Sequence, residues 1–227
     1  MLYNCNDMHT DIRRLYWYAT NLQFRRLTSL SLSVFILGVV FNFYSGVYAT
    51  EVQSNPVTDI VLSNTPALDL AGIFVWGGIA LIAFVCLLLL YHPQTLPFTL
   101  ASLGIFYLVR AIFVSLTHIG PFPNQDTADV GIIITKFFFG GDLFFSGHTG
   151  APFLLALIFW HHRPLRYIFL ASSFILGGAA LLAHVHYSID ILAAFFITYT
   201  IFHICEWLFP LQRRVFHEGL TAEPAKN

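Results

Sequence analysis

The sequence predicts an all-α integral membrane protein with six transmembrane helices and both termini cytoplasmic, and three observations lead there. Apolar residues make up 57% of the 227 and charged residues only 10%, against roughly 25% charged in an ordinary soluble domain. The apolar residues gather in charge-free stretches of about 20, the length a helix needs to cross the hydrocarbon core of a bilayer. The cations fall almost entirely on one side of the resulting chain path. This composition excludes a water-soluble globule, and also a disordered chain, which needs few apolar residues and many charges. A net charge of −1 leaves nothing to grip nucleic acid. Cys5, Cys86 and Cys205 are few and scattered, so neither a disulfide framework nor a Cys-based metal site is indicated.

The first span covers 27–49, within the stretch from Arg26 to Glu51 that has no charged residue between its ends. A cleaved signal peptide competes for this segment because Val47-Tyr48-Ala49 resembles a small-residue cleavage site. The long charged leader and long apolar stretch favour a span. From Asp69 to Arg110 the charge-free region is too long for one crossing, and Tyr91-His92-Pro93 and Pro97 break it into spans at 70–91 and 97–118. A fourth span at 145–160 stops at His161-His162-Arg163-Pro164, the fifth covers 165–182, and the sixth 188–209. The chain thus divides into a cytoplasmic N-terminal segment (1–26), a six-span membrane domain (27–209) and a cytoplasmic tail (210–227), with no internal repeat.

Short flanks rich in Lys and Arg stay cytoplasmic. Arg13, Arg14, Arg25, Arg26, Arg163, Arg166, Arg213, Arg214 and Lys226 all fall on one side of this path. The opposite loops carry Glu51, Asp59, Asp69, Asp126, Asp129 and Asp142, with Lys136 as their cation. That side is therefore expected to be non-cytoplasmic.

Ionisable groups near or inside a membrane are candidates for function, since a charge at the centre of a spanning helix costs about 2.5–3.5 kcal/mol on insertion scales. Three clusters converge on the non-cytoplasmic side: Gly141-Asp142-Leu143-Phe144-Phe145-Ser146-Gly147-His148-Thr149, His184-Val185-His186-Tyr187-Ser188-Ile189-Asp190, and Tyr107-Leu108-Val109-Arg110. If the sixth span is already helical at its start, His186 and Asp190 share a face at i and i+4. A carboxylate on one imidazole nitrogen leaves the other as nucleophile or base. His148 is the second histidine, able to protonate a leaving oxygen, beside a Gly147 that admits close backbone approach and a Ser146 that supplies a donor. Donors and cations around developing charge are what phosphoryl transfer needs. The plainer alternative is that these histidines are interfacial side chains, or proton relays of a non-catalytic lipid-binding or transport protein.

The pair Ser146-Gly147-His148 and His186-Tyr187-Ser188-Ile189-Asp190 resembles the paired motifs of the lipid phosphate phosphatase superfamily. More closely, Gly141 to Thr149 and Leu182 to Asp190 resemble the two catalytic motifs of the sphingomyelin synthase family. Tyr107 to Arg110, followed by Thr117 and Pro121-Phe122-Pro123, resembles a third motif of that family, and Thr65-Pro66-Ala67-Leu68-Asp69 echoes a fourth. The likeness extends over residues 65–207 in the same order.

The resemblance implies that His186 attacks phosphorus to give a phosphohistidine, Asp190 orients it, and His148 handles the protons of the leaving and incoming alcohols. Arg110, Ser146, Asp142 and Lys136 are then candidates for substrate binding. Asp142 has three open roles: orienting His148, binding the acceptor, or capping the fourth helix. The donor would be a glycerophospholipid carrying phosphocholine or phosphoethanolamine, and the acceptor a lipid alcohol such as ceramide. Gly140 stands where the family usually has Cys, and Val185 where it has Asp between the two histidines. The phosphatase branch usually places a Ser-Arg pair six or seven residues before the nucleophilic His, where Ala179 and Ala180 stand here. Fewer cations suit a singly charged phosphodiester better than a dianionic monoester. A lipid phosphatase or phospholipase C-like hydrolase is the alternative within enzymes. No cofactor or metal is expected, since the paired-carboxylate pattern for two ions is missing.

Overall fold

The computed structural model describes residues 15–123 and 143–220, and among these the regular structure is entirely helical. Seven helices follow a short helical segment at 15–20: α1 Leu22–Glu51, α2 Ala71–Tyr91, α3 Leu96–Leu116, α4 Gly147–Ile158, α5 Arg163–Leu182, α6 Ser188–Leu208 and α7 Pro210–Glu218. Five of them, α1, α2, α3, α5 and α6, are long and apolar enough to cross a bilayer, which is the architecture of a multi-pass membrane protein.

The helix limits follow local chemistry. Asn21 caps α1, its side-chain oxygen accepting from the Phe24 N–H at 3.0 Å. His92, the residue before Pro93, leaves the helical region at φ −124° and ψ 67° and ends α2. Proline stands in the first turn of α3, α5 and α7, where its missing N–H breaks no helical hydrogen bond.

The fourth expected span, 145–160, is reduced to α4, only 12 residues long. At 1.5 Å per residue that is about 18 Å, against a hydrocarbon core of about 30 Å. The shortening has a cause at each end. Before α4 the backbone is held by other elements: Arg110 Nε donates to the Phe145 carbonyl at 2.9 Å, and the Ser146 N–H donates to the Asp190 carbonyl at 3.3 Å. After it, a turn closed by His162 N–H to Phe159 O at 2.9 Å leads into Pro164. The short helix is packed between α3, α5 and α6, burying Leu154, Leu155, Ala156 and Ile158.

Small residues bring α1 and α3 together. Ser31, Gly38 and Ser45 are buried on α1, a seven-residue spacing that keeps them on one face. A Cβ at Gly104 of α3 would stand 2.7 Å from backbone atoms of Val34 and Phe35, and one at Gly38 would meet the Gly104 carbonyl. Such close approach is how helices gain contact in lipid, where apolar side chains have no water to escape. The main core, by contrast, is aromatic, with Phe98, Phe106, Phe145, Phe159 and Phe169 buried in one cluster among α3, α4 and α5.

The tail expected after residue 209 contains α7, which folds back so that Phe216 packs on Phe98 and Phe159 at ring-centroid distances of 6.0 and 5.3 Å. Tyr18, Phe24, Val215 and Leu220 form one cluster, so the start of α1 and the end of α7 meet at one end of the bundle. The three sequence motifs meet at the other.

Candidate active site

Four helices bring their ends to this second region: the end of α3 with Arg110, the start of α4 with Ser146 and His148, the end of α5, and the start of α6 with His186 and Asp190 just before and inside it. The first turn of α2 adds Phe74.

His186 precedes α6 rather than lying in it, so the pairing comes from a cap and not from a shared helical face. Tyr187 is the N-cap residue, and Asp190, three residues on, turns back so that its Oδ2 accepts the Tyr187 N–H at 2.9 Å. The same oxygen lies 3.4 Å from His186 Nδ1. This is an ion-pair distance without a hydrogen bond, and Asp190 Oδ1 is buried with no hydrogen-bond donor among the described residues. The carboxylate thus faces Nδ1, so a nucleophile or base on this ring would be Nε2.

His148 lies in the first turn of α4, its ring stacked on Phe74 at 3.9 Å and 36°. Phe74 also meets His186, edge-to-face at 6.4 Å and 62°. One buried phenyl ring therefore touches both imidazoles. His186 and Arg110 are each within electrostatic reach of His148. Pro152, one turn further on in α4, has no N–H for the His148 carbonyl.

Arg110 is buried and anchored from two directions. Its Nε donates to Phe145 O and its Nη1 to Asn42 Oδ1, both at 2.9 Å. The guanidinium also runs along Gly147, where a Cβ would stand 3.3 Å from Arg110 Nε. Ser146 is fully buried, and its hydroxyl accepts from Thr149 Oγ1 at 3.2 Å. Among the proposed substrate-binding residues, Asp142 and Lys136 lie outside the described residues.

Some contributors left little trace in the sequence. Asn42 is an isolated amide inside an apolar span, a signal that an interhelical hydrogen bond is needed. Phe74 is one of 24 phenylalanines and had no distinguishing mark. His184 occupies the position after α5 with φ 58°, where glycine is usual. Its ring is buried against Phe122 at 5.3 Å, and neither nitrogen has a hydrogen-bond partner among the described residues. Asp59, read above only as a loop charge, is hydrogen-bonded to Ser188 at the start of α6. Asp69, in the echo of the fourth motif, is exposed. Among the described residues, no three His, Cys, Asp or Glu side chains gather as metal ligands do.

Residues 140–207 match the model of a family described as the PAP2 superfamily C-terminal domain. The matched stretch contains Ser146, His148, His186 and Asp190, and supports the lipid phosphate phosphatase superfamily and its chemistry on phosphate esters. It does not single out the sphingomyelin synthase branch. No curated protein matches the chain.

Proposed function

We propose that this chain is a membrane phosphotransferase of the sphingomyelin synthase type, moving phosphocholine or phosphoethanolamine from a glycerophospholipid to a lipid alcohol such as ceramide. The observation that carries the reading is the meeting of two imidazoles on Phe74 with a buried carboxylate behind one of them.

In this mechanism His186 Nε2 attacks phosphorus, a P–N bond forms, and the P–O bond to diacylglycerol breaks. His148 gives its proton to the departing oxygen. The acceptor alcohol then enters, loses its proton to His148 and attacks phosphorus, and the P–N bond breaks to restore His186. Asp190 stabilises the positive charge that His186 gains on attack. Arg110 and the Ser146 region supply donors to the phosphoryl oxygens, and Asp142 and Lys136 complete the substrate-binding set. Because the first lipid leaves before the second binds, the kinetics are ping-pong. The charge distribution favours a site on the non-cytoplasmic face. Cysteines introduced at Asp126 and at Arg163 then label differently with an impermeant reagent in intact cells, Asp126 from outside and Arg163 not.

A second reading is favoured by the superfamily match itself: hydrolysis, with water in place of the acceptor alcohol. Purified protein in mixed micelles distinguishes the two. Labelled phosphatidylcholine or phosphatidylethanolamine is supplied with ceramide or diacylglycerol, alongside phosphatidic acid as a monoester. Transfer of label to the acceptor is the expected result. Rapid phosphate release from phosphatidic acid with no lipid-to-lipid transfer makes the hydrolase reading the better one.

A further inference from the structure

We propose that Asp59, in the segment between α1 and α2, is a positioning residue that holds the His186–Asp190 pair in register by capping α6 from outside the helix. The proposal rests on the catalytic role given above to that pair.

The geometry divides the carboxylate between two tasks. Oδ1 accepts from the Val61 and Leu62 N–H groups at 2.8 and 3.1 Å, closing the turn that Asp59 itself begins. Oδ2 reaches across the fold to Ser188, accepting from its N–H at 2.7 Å and its hydroxyl at 2.8 Å. Ser188 sits midway between His186 and Asp190. A loop aspartate that merely shaped its own turn would need only the first pair of bonds.

The second pair matters because of what else could satisfy Ser188. The first N–H groups of a helix have no acceptor within it and seek one nearby. Asp190 is already turned toward the same end, with Oδ2 on the Tyr187 N–H. With Asp59 taking the Ser188 N–H, Asp190 is left facing His186 instead of being drawn to that donor. The same loop holds Tyr187 as well, whose hydroxyl accepts from the Val57 N–H at 3.2 Å while donating to the carbonyl of Gly120, after α3, at 2.8 Å. The segment from Val57 to Leu62 thus grips Tyr187 and Ser188, two of the three residues between the proposed nucleophile and its carboxylate. Asp59 is buried, so water does not replace these bonds cheaply.

The test compares Asp59→Ala, Asp59→Asn and Ser188→Ala in the purified full chain, each normalised to folded protein by size-exclusion chromatography and helical circular dichroism. Small displacements of catalytic groups cost up to about 100-fold in rate. Asp59→Ala is expected to lower kcat by about 10- to 100-fold with KM unchanged. Asp59→Asn keeps an oxygen for the Ser188 N–H and recovers part of the loss, and Ser188→Ala, which keeps that N–H, has the smallest effect. A second readout needs no substrate: carbethoxylation of His186 by diethyl pyrocarbonate, measured by mass spectrometry against His203 in the same molecule. Loosening the cap raises the His186 to His203 ratio in Asp59→Ala and less in Asp59→Asn. An unchanged ratio together with wild-type kcat per folded molecule overturns the proposal, as does a loss in which Asn and Ala are equally impaired. If Asp59→Ala does not fold, Asp59→Asn and Ser188→Ala carry the same ratio test. If the wild-type protein acts on no lipid phosphoester, the functional reading fails, while the ratio still decides whether Asp59 holds His186.

Discussion

Helix α6 has a histidine facing a carboxylate at each end. At the start, His186 Nδ1 lies 3.4 Å from Asp190 Oδ2, with side chains 6% and 0% exposed. At the far end, His203 Nδ1 lies 2.9 Å from Glu206 Oε2, with side chains 50% and 16% exposed, and Glu206 also pairs with Arg213. The shorter contact belongs to the more exposed pair. Exposed ion pairs are screened by water and salt and contribute about 0–1 kcal/mol. A pair sealed from water interacts in a lower dielectric and is held by its surroundings. What separates the two is therefore the company each keeps: Phe74, His148 and a carboxylate-capped helix start at one end, an exposed groove beside Tyr199 and Trp207 at the other.

The largest expected effect comes from removing a histidine at the buried end. His186→Ala abolishes turnover and leaves no acid-labile phosphoenzyme in a rapid quench with labelled donor. His148→Ala also stops turnover, yet still forms phosphoenzyme from a donor whose leaving group needs no proton. His203→Ala, at the exposed end, leaves both measurements unchanged. Near-normal turnover in His186→Ala would falsify the mechanism at its centre.

Next come the carboxylates. Asp190→Asn keeps the helix content but lowers kcat by about 10⁴-fold, the scale set by a comparable change in a serine protease triad. Glu206→Gln is the matched control and keeps wild-type kcat. The arginines give a third and smaller contrast. Arg110→Lys loses the two-directional hold on Phe145 O and Asn42 Oδ1, because an ammonium group does not reproduce the guanidinium fork. It is expected to lower kcat by about 100-fold, in the range for losing one oxyanion donor, whereas Arg213→Lys has no effect on rate.

The smallest effects are on stability. Burial alone raises the Asp59 pKa, but hydrogen bonds from the Ser188 side chain and from the Ser188, Leu62 and Val61 N–H groups outweigh it and hold the carboxyl below its ordinary 3.8. A depressed folded-state value means stability that is fully present above 3.8 and is lost as pH falls through the folded value. The thermal midpoint of the wild type should fall in that acid window more than that of Asp59→Asn. At the exposed end, Glu206→Gln should change unfolding free energy by no more than about 1 kcal/mol, an effect that shrinks further in high salt.

Much of the helical plan is legible in the sequence. The starts and ends of α2, α3, α5 and α6 fall within two residues of the limits read from Pro93, Pro97, Arg163-Pro164 and the apolar runs between them. These boundaries rest on local effects, a missing N–H or an unfavourable charge, that act wherever the chain goes. The shortness of α4 was not legible, because residues 145 and 146 are apolar or small enough to be helical and are drawn out of the helix by Arg110 and by the Asp190 carbonyl. The fold of the tail around Phe216 was missed for the same reason, since its partners Phe98 and Phe159 lie far away in sequence.

At the candidate site, sequence by itself nominated two histidines and an aspartate in motifs of recognisable spacing, within a chain whose apolar runs leave water-facing ends for them. Residue type and short-range spacing are written in the sequence because the chemistry of a side chain does not depend on where it is carried. Only the tertiary structure decided which groups stand together. It made Phe74 common to His148 and His186, gave Arg110 an amide on α1, and set Asp59 against Ser188. Each of these contacts joins positions tens of residues apart or more, and each exists because helix packing and burial fixed both partners at once, a condition that no local stretch of sequence contains.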